Sequence, residues 1–426
     1  MSSPASATAA LFMLLSLVSA AHPAAAQIPL PTEIDPFDDS IVHDIRLTIN
    51  PRDWAELQAN FQLNLYYPAH FSWNGVSVQN VGIRSRGAAS RSATKPGIRV
   101  DFNRYDPATR FLGLKSIVLR NNTQDPSNLH ERLAMKVFTW LGFPASREAH
   151  AKLYVNGSYA GLYTVVEAVD KNFLARHFGQ DNGYLYGYDW PLDGSSYFFD
   201  YKGPDPALYT PRLFHPETHE IDPNPAPLVD FIRAVNETPD RDFLRVVGQY
   251  LDLPRFMKYV AVENFLAETD GIVGTYVGMN NFYLYQFENS TRFTFIPWDK
   301  SEAFTGGPEY PIWHYVDDVP TWMRNRLVDR AVRFPELRRV YLDTLMECTR
   351  LTAGPALAGE SPGVDPSGGW LEAEIVREYQ QIRTAALADT VKPFSNEAFD
   401  AAVQHLLAFA RMRGEFVKLD VARSPR

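Results

Sequence analysis

The stretch from Asn264 to Phe304, NFLAETDGIVGTYVGMNNFYLYQFENSTRFTFIPWDKSEAF, constrains this chain more than any other. Phe282 to Phe287 (FYLYQF) is aromatic and extended in character, and Arg292 to Trp298 (RFTFIPW) alternates in the same way. Glu288-Asn289-Ser290-Thr291 between them is turn chemistry, so the two runs predict a β-hairpin. An antiparallel pair brings its start and its finish together. Asn280 and Asn281 before the first strand, and Asp299 after the second, are therefore expected as spatial neighbours. Asp270 precedes them in a Gly-containing loop, after a helix expected over Pro254 to Glu268.

The order Asp, Asn, hairpin, Asp is the one used by phosphotransferases of the protein-kinase type. There a loop Asp accepts the proton of the substrate hydroxyl, and an Asn and a second Asp hold metal ions on the nucleotide phosphates. Such ions take hard oxygen ligands. The same residues also fit a plain hairpin capped by Asn and Asp.

With 426 residues the chain can form one large domain or two moderate ones. Its net charge of −9 and the lack of long basic runs argue against a nucleic-acid partner. Residues 1–26 resemble a secretory signal: Ala9 to Ala21 is apolar, and Ala24-Ala25-Ala26 offers a cleavage site before Gln27. The basic segment usual at its start is missing, and the apolar run is short for a membrane span. The expectation is a secreted protein, extracellular or periplasmic, with no span after cleavage. Cys348 is the sole cysteine, which excludes an internal disulfide and reads as a buried structural thiol.

Taken in order, the pattern predicts an α+β chain. An extended segment covers 27–40. Strands follow at His43 to Asn50, Tyr67 to Trp73 and Val76 to Arg84, with a short helix from Pro51. The loop Ser85 to Ala93 (SRGAASRSA) is small, polar and basic, a composition able to cover phosphates or simply to face solvent. Ser116 to Arg120 reads as a buried strand, and Ser127 as the cap of a helix over Asn128 to Leu141. Leu129, Leu133, Val137 and Leu141 form its core stripe; Glu131 and Arg132 lie off it, and Glu131 is expected to be solvated, although it could face a phosphate-binding cation. A hairpin around Asn156-Gly157 ends at Glu167, before a helix from Asp170 to Phe178. Residues 183–227 read as irregular, and Pro216 and Pro223 argue against a helix aligning His215 with His219 on a metal. Helices are expected at Met323 to Leu351, Trp370 to Ala388 and Asn396 to Val421, with a linker over 353–369.

Seven segments, in order, carry a resemblance to a known family: VGIRSRGAASRS, KPGIRVDF, LKSIVLRNNTQDPSNLHERLAMKVF, AKLYVNGSYAGLYTVVEAVDKNFL, GYLYGYD, NNFYLYQF and IPWDKSEAF. They span roughly residues 80–305, and in combination they resemble the CotH family of spore-coat-H kinase-like proteins. The resemblance implies a two-lobed protein-kinase-like fold. A β-rich N-lobe would cover 41–168 and a mainly helical C-lobe 169–352, with 353–426 packing its helices on the C-lobe. It also implies ATP with Mg²⁺ or Mn²⁺, and transfer of phosphate to a Ser or Thr of an exported protein. Arg86, Ser90 and Arg91 match the family's phosphate loop, and Lys95 is the candidate phosphate cation. Glu167 is a candidate hinge residue, Asp270 the base, and Asn281 and Asp299 the metal ligands.

The chain departs from the pattern in three places. Ala88 stands where the loop pattern has Asn. Gly271 follows Asp270 where a basic residue is usual, which leaves Arg86, Arg91 or Lys300 to meet the phosphate charge. Ser301 stands where the box after the hairpin carries a second acid, with Glu302 next as the substitute ligand. The last departure keeps a second function class open, a non-catalytic surface or coat assembly protein of the same fold. A metal-dependent hydrolase has only scattered acids behind it.

Overall fold

The computed structural model describes residues 35–191, 193–274, 278–355 and 369–424. The signal-like segment 1–26 and most of the 27–40 stretch lie outside the described residues. Strands β1 (His43–Ile49), β2 (Tyr67–Trp73), β3 (Val76–Arg86), β4 (Gly97–Asp101), β5 (Ser116–Arg120), β6 (Glu148–Val155) and β7 (Ser158–Glu167) close into a barrel in the order β1-β2-β3-β4-β5-β7-β6. Helix α1 (Pro51–Ala59) joins the first two. The seam is a parallel pairing of β1 with β6; closure leaves no open strand edge. In β1 the residues alternate buried and exposed, which turns Ile45, Leu47 and Ile49 inward. There they meet an aromatic cluster in which the Phe71 ring stands edge-on to Phe102 and Phe111.

Strand β5 is buried at all five positions, because it is covered on both faces. Ile117 and Leu119 belong to the barrel interior. Val118 joins a cluster between the two halves of the molecule, with Val166, Val169, Phe173, Leu185, Tyr285, Ile296 and Trp298. Arg120 ends the strand at that boundary.

Helix α2 (His130–Trp140) starts later than its pattern suggests. Asp125, rather than Ser127 alone, organises its entry by accepting from the N–H groups of Ser127 and His130, each at 2.8 Å. Glu131 is 6% exposed, contrary to the solvated position expected, and Arg132 beside it is 2% exposed. The reason is that α2 lies between the barrel and helix α9 (Gly369–Ala388): Arg132 donates to Glu378 at 2.8 Å. Asp39, from the described N-terminal stretch, joins the same network through Arg132 at 2.9 Å and Lys136 at 2.6 Å.

The second half contains α3 (Lys171–Phe178), β8 (Tyr184–Tyr188), β9 (Phe214–Pro216), α4 (Ala226–Glu237), α5 (Asp240–Val247), α6 (Leu253–Phe265), the hairpin β10 (Phe282–Gln286) and β11 (Phe293–Pro297), α7 (Arg326–Ala331), α8 (Pro335–Ala353) and α10 (Asn396–Arg423), with α9 between the last two. Its sheet has the order β11-β10-β8-β9. Strands β8 and β9 come from the segment expected to be irregular; Tyr184–Tyr188 pairs with β10 and so extends the hairpin. The single helix expected over Met323 to Leu351 is broken, and Pro335 opens α8, where its missing N–H costs nothing. Cys348 is fully buried in α8, and burial pushes its thiol up, as suits a structural role. Arg413 of α10, 1% exposed, donates to the terminal carbonyls of α6 at Asn264 and Phe265, each at 2.8 Å. Among the described residues no helix is long and apolar enough to cross a membrane.

The C-terminal helices, expected on the C-lobe, also clasp the barrel. Asp389, just past α9, meets Lys95 at 2.7 Å, with both side chains 1% exposed, and accepts from the N–H of Leu162 at 3.0 Å. Gly161 makes this approach possible: its φ is 121°, and a Cβ there would lie 2.6 Å from the Asp389 carboxylate. Lys95, expected to contact phosphate, is therefore committed to a buried ion pair. Breaking such a pair leaves an uncompensated charge in the interior. Asp389→Asn should lower unfolding stability by about 3–5 kcal/mol in urea titration, and adding Lys95→Met should return much of the loss. An unchanged midpoint for Asp389→Asn would show that the pair does not hold the halves together.

Candidate active site

The hairpin does what its sequence pattern requires. Phe282 pairs with Pro297, so Asn281 and Trp298 meet at the open end, where the Trp298 N–H donates to the Asn281 carbonyl at 3.4 Å. Asn281 and Asp299 both hold left-handed backbone, at φ 57° and 50°, a conformation that Asn and Asp tolerate better than most residues. The Asn281 amide donates to the Asp270 carboxylate and to the Asp270 carbonyl, each at 2.9 Å. Asn280 donates to both Asp270 oxygens, at 3.1 and 3.0 Å. The structure thus brings Asp270, Asn281 and Asp299 to one place.

The cation facing them is one the sequence reading missed. Arg120, at the end of β5, lies 2.6 Å from Asp299 and forms a second ion pair with Glu131 of α2. This is the strand-cation to helix-glutamate arrangement that kinases make with Lys and Glu, with Arg in the Lys place. The signal was present: the apolar run Ile117-Val118-Leu119 ends in a charge. Arg86 lies beside Arg120, with its guanidinium 5.6 Å from the Trp298 ring and that of Arg120 5.1 Å from it. Burial and the neighbouring Arg120 charge hold Arg86 down to about 10. Among the described residues Arg86 makes no ion pair, so it is the cation best placed to meet an anionic ligand.

The remaining expected residues separate. Ser90 lines the cleft, and its carbonyl is held by the Asn121 amide at 2.8 Å. Arg91 is a brace within the loop: it donates to the Gly87 and Phe61 carbonyls, each at 2.8 Å, and to Asn64 at 2.6 Å. Glu167 is 3% exposed; its carboxylate is taken by Arg147 and Arg176, and its N–H donates to the Arg147 carbonyl. It organises the link between the halves and does not present itself to a base. Lys300 is fully buried below the cleft, which removes it as a phosphate contact.

The electrostatics are those of crowded acids. Burial raises Asp270 to about 6, with the Asn280 amide opposing and the Asp299 charge adding to the rise. Burial and the charges of Asp270, Asp125 and Asp299 raise Glu302 to about 7, which puts Glu302 within the field of the cluster. Burial would raise Asp299 too, but Arg120 holds it below the usual range. Ser301, in place of an acid, donates to Asp299 Oδ1 at 3.1 Å, and Arg120 uses the same oxygen. That leaves Asp299 Oδ2 and the Asn281 amide carbonyl as hard donors suited to a Mg²⁺ or Mn²⁺ ion. Among the described residues Asp39, Glu374 and Glu378 also cluster, but Arg132, Lys136 and Arg377 already neutralise them. The cleft over Asp270, Asn281, Trp298, Asp299, Arg86 and Ser90 holds about 430 Å³, within the range of small-ligand sites.

The chain is similar to known proteins. The inner spore coat protein H of Bacillus subtilis (strain 168) is 24% identical over 373 residues, covering 88% of this chain and 96% of that protein. Among solved structures the chain is similar to the crystal structure of a Helicobacter pylori proinflammatory kinase, CtkA, at 11% identity, 80% coverage of this chain, 95% of that one, and a TM-score of 0.29. The CotH kinase protein family model matches residues 83–417, which span the barrel from β3 onward, the hairpin site and most of α10, and the chain belongs to that family.

Proposed function

We propose that this protein is a secreted, atypical phosphotransferase that moves the γ-phosphate of ATP to a Ser or Thr hydroxyl of an exported protein. Membership in a kinase family implies ATP use. One observation supports the reading of the site: Arg120 joins Glu131 of the N-terminal half to Asp299 at the end of the hairpin whose other end, Asn281, holds Asp270. In this reading Arg86 and Arg120 bind the phosphates by charge-assisted hydrogen bonds, which are stronger than neutral ones. Asp299, Asn281 and Glu302 hold Mg²⁺ or Mn²⁺, which would offset the charge on the phosphate oxygens. Asp270, oriented by the two Asn amides, accepts the proton of the acceptor hydroxyl.

A second reading, a non-catalytic surface or coat assembly protein of the same fold, is favoured by Ser301, which stands where the family pattern has a second acid. The two readings part on transfer.

Calorimetric titration of ATP with Mg²⁺ or Mn²⁺, and again with EDTA, tests the site. Binding is expected with metal and lost with EDTA, and Asp299→Ala should abolish the metal-dependent part; metal-dependent binding that survives Asp299→Ala would remove the hairpin from the site. Arg120→Met should weaken ATP binding about ten- to hundredfold, from the loss of a charge-assisted hydrogen bond. Asp270→Asn should keep ATP affinity and lower phosphate transfer by about 10²–10⁴-fold. Equal transfer by that variant would assign the proton to another group, and no transfer by the unsubstituted chain, despite binding, would favour the assembly reading.

A further inference from the structure

Beneath the Asp270 loop lies a buried set of charges that the reading above leaves unused. Lys300 follows Asp299, yet its side chain turns inward and is 0% exposed, as is that of Glu263 in α6. Lys300 Nζ donates to Glu263 Oε1 at 2.6 Å and to the Asn281 carbonyl at 2.9 Å. The other Glu263 oxygen accepts from the N–H of Ile272 at 2.8 Å. Glu268, 1% exposed, accepts from the N–H of Asp270 at 2.9 Å.

Gly271 fits this arrangement and explains one departure in the sequence. A Cβ at that position would lie 2.6 Å from the Glu263 carboxylate. The place after Asp270, where a basic residue is usual, therefore admits no side chain, and Lys300 brings positive charge to the loop from below.

We infer that Glu263, Lys300 and Glu268 are positioning residues for Asp270 and Asn281. Three backbone groups of the loop are held at once: the N–H of Asp270, the N–H of Ile272 and the carbonyl of Asn281. A buried ion pair contributes little net stability relative to apolar residues of the same volume, so what this one supplies is geometry. The inference takes what is being positioned from the phosphotransferase reading, and how it is positioned from the hydrogen bonds.

The test compares the full chain with Lys300→Met and with the paired variant Glu263→Gln/Lys300→Met, which leaves no unpaired buried charge between them. The readouts are thermal stability, ATP turnover with Mg²⁺, and amide hydrogen exchange. In both variants kcat is expected to fall about 10²-fold, the usual cost of a displacement near 1 Å, while KM for ATP stays within about threefold. Exchange at the Asp270 and Ile272 amides should rise about tenfold relative to the barrel strands, as local opening becomes easier. The paired variant should regain the stability that Lys300→Met loses, without regaining kcat. Wild-type kcat in the paired variant, or unchanged exchange at those two amides, overturns the inference. An unsubstituted chain that turns over no ATP counts against the phosphotransferase reading instead, and the exchange measurement then decides the positioning role.

Discussion

The rest of the site depends on the double ion pair of Arg120. A guanidinium whose side chain is 9% exposed cannot be left uncompensated, and Glu131 and Asp299 supply the compensation from two different parts of the fold. Each partner is in turn fixed by its own element. Glu131 sits on α2, and Asp299 follows β11 in a left-handed conformation set by the hairpin end. Moving either element would strand a charge in a low-dielectric interior, so the pair acts as a geometric clamp across the cleft. An Arg in this role differs from a Lys, because its planar fork can meet two carboxylates at once and still present N–H groups to a phosphate.

The clamp extends outward through α2. Glu131 pairs with Arg120, and Arg132, next to it, meets Glu378 of α9 and Asp39 of the N-terminal stretch. One helix therefore bears on Arg120 on one side and on the packing of the C-terminal helices on the other. The Lys95–Asp389 pair fastens the same C-terminal region to the barrel a second time. With α10 locked to the end of α6 by Arg413, the C-terminal helices bear on both halves of the molecule that form the cleft.

Ser301 and Gly271, the two departures that count most against activity on sequence grounds, look different in the structure. Ser301 donates to the oxygen of Asp299 that Arg120 also uses, which leaves the other oxygen out of these two bonds. Glu302, one position on, is raised by burial and feels the charges of Asp270 and Asp299. Gly271 is demanded by the Glu263 carboxylate beneath it. Ser301 is accommodated with the help of Arg120, far away in sequence, and Gly271 by Glu263 of the preceding helix.

What the sequence by itself determined is local and periodic. Aromatic alternation around a turn specified the β10–β11 hairpin, and antiparallel pairing then forced Asn281 toward Asp299 without further information. Alternation in β1 and a continuous apolar run in β5 specified a half-exposed and a doubly covered strand. What only the tertiary structure decided is which charges meet. Lys95 looked like the phosphate cation because it follows a basic loop, yet its partner is Asp389, almost three hundred positions later. Glu131 read as a solvated residue and Lys300 as a possible phosphate contact, yet each is buried against a charge from another element, as is Arg132. Periodicity reports which face of an element is apolar; it carries no information about a charge whose compensation lies on a distant segment. That is why the hairpin was legible and the Arg120 clamp was not.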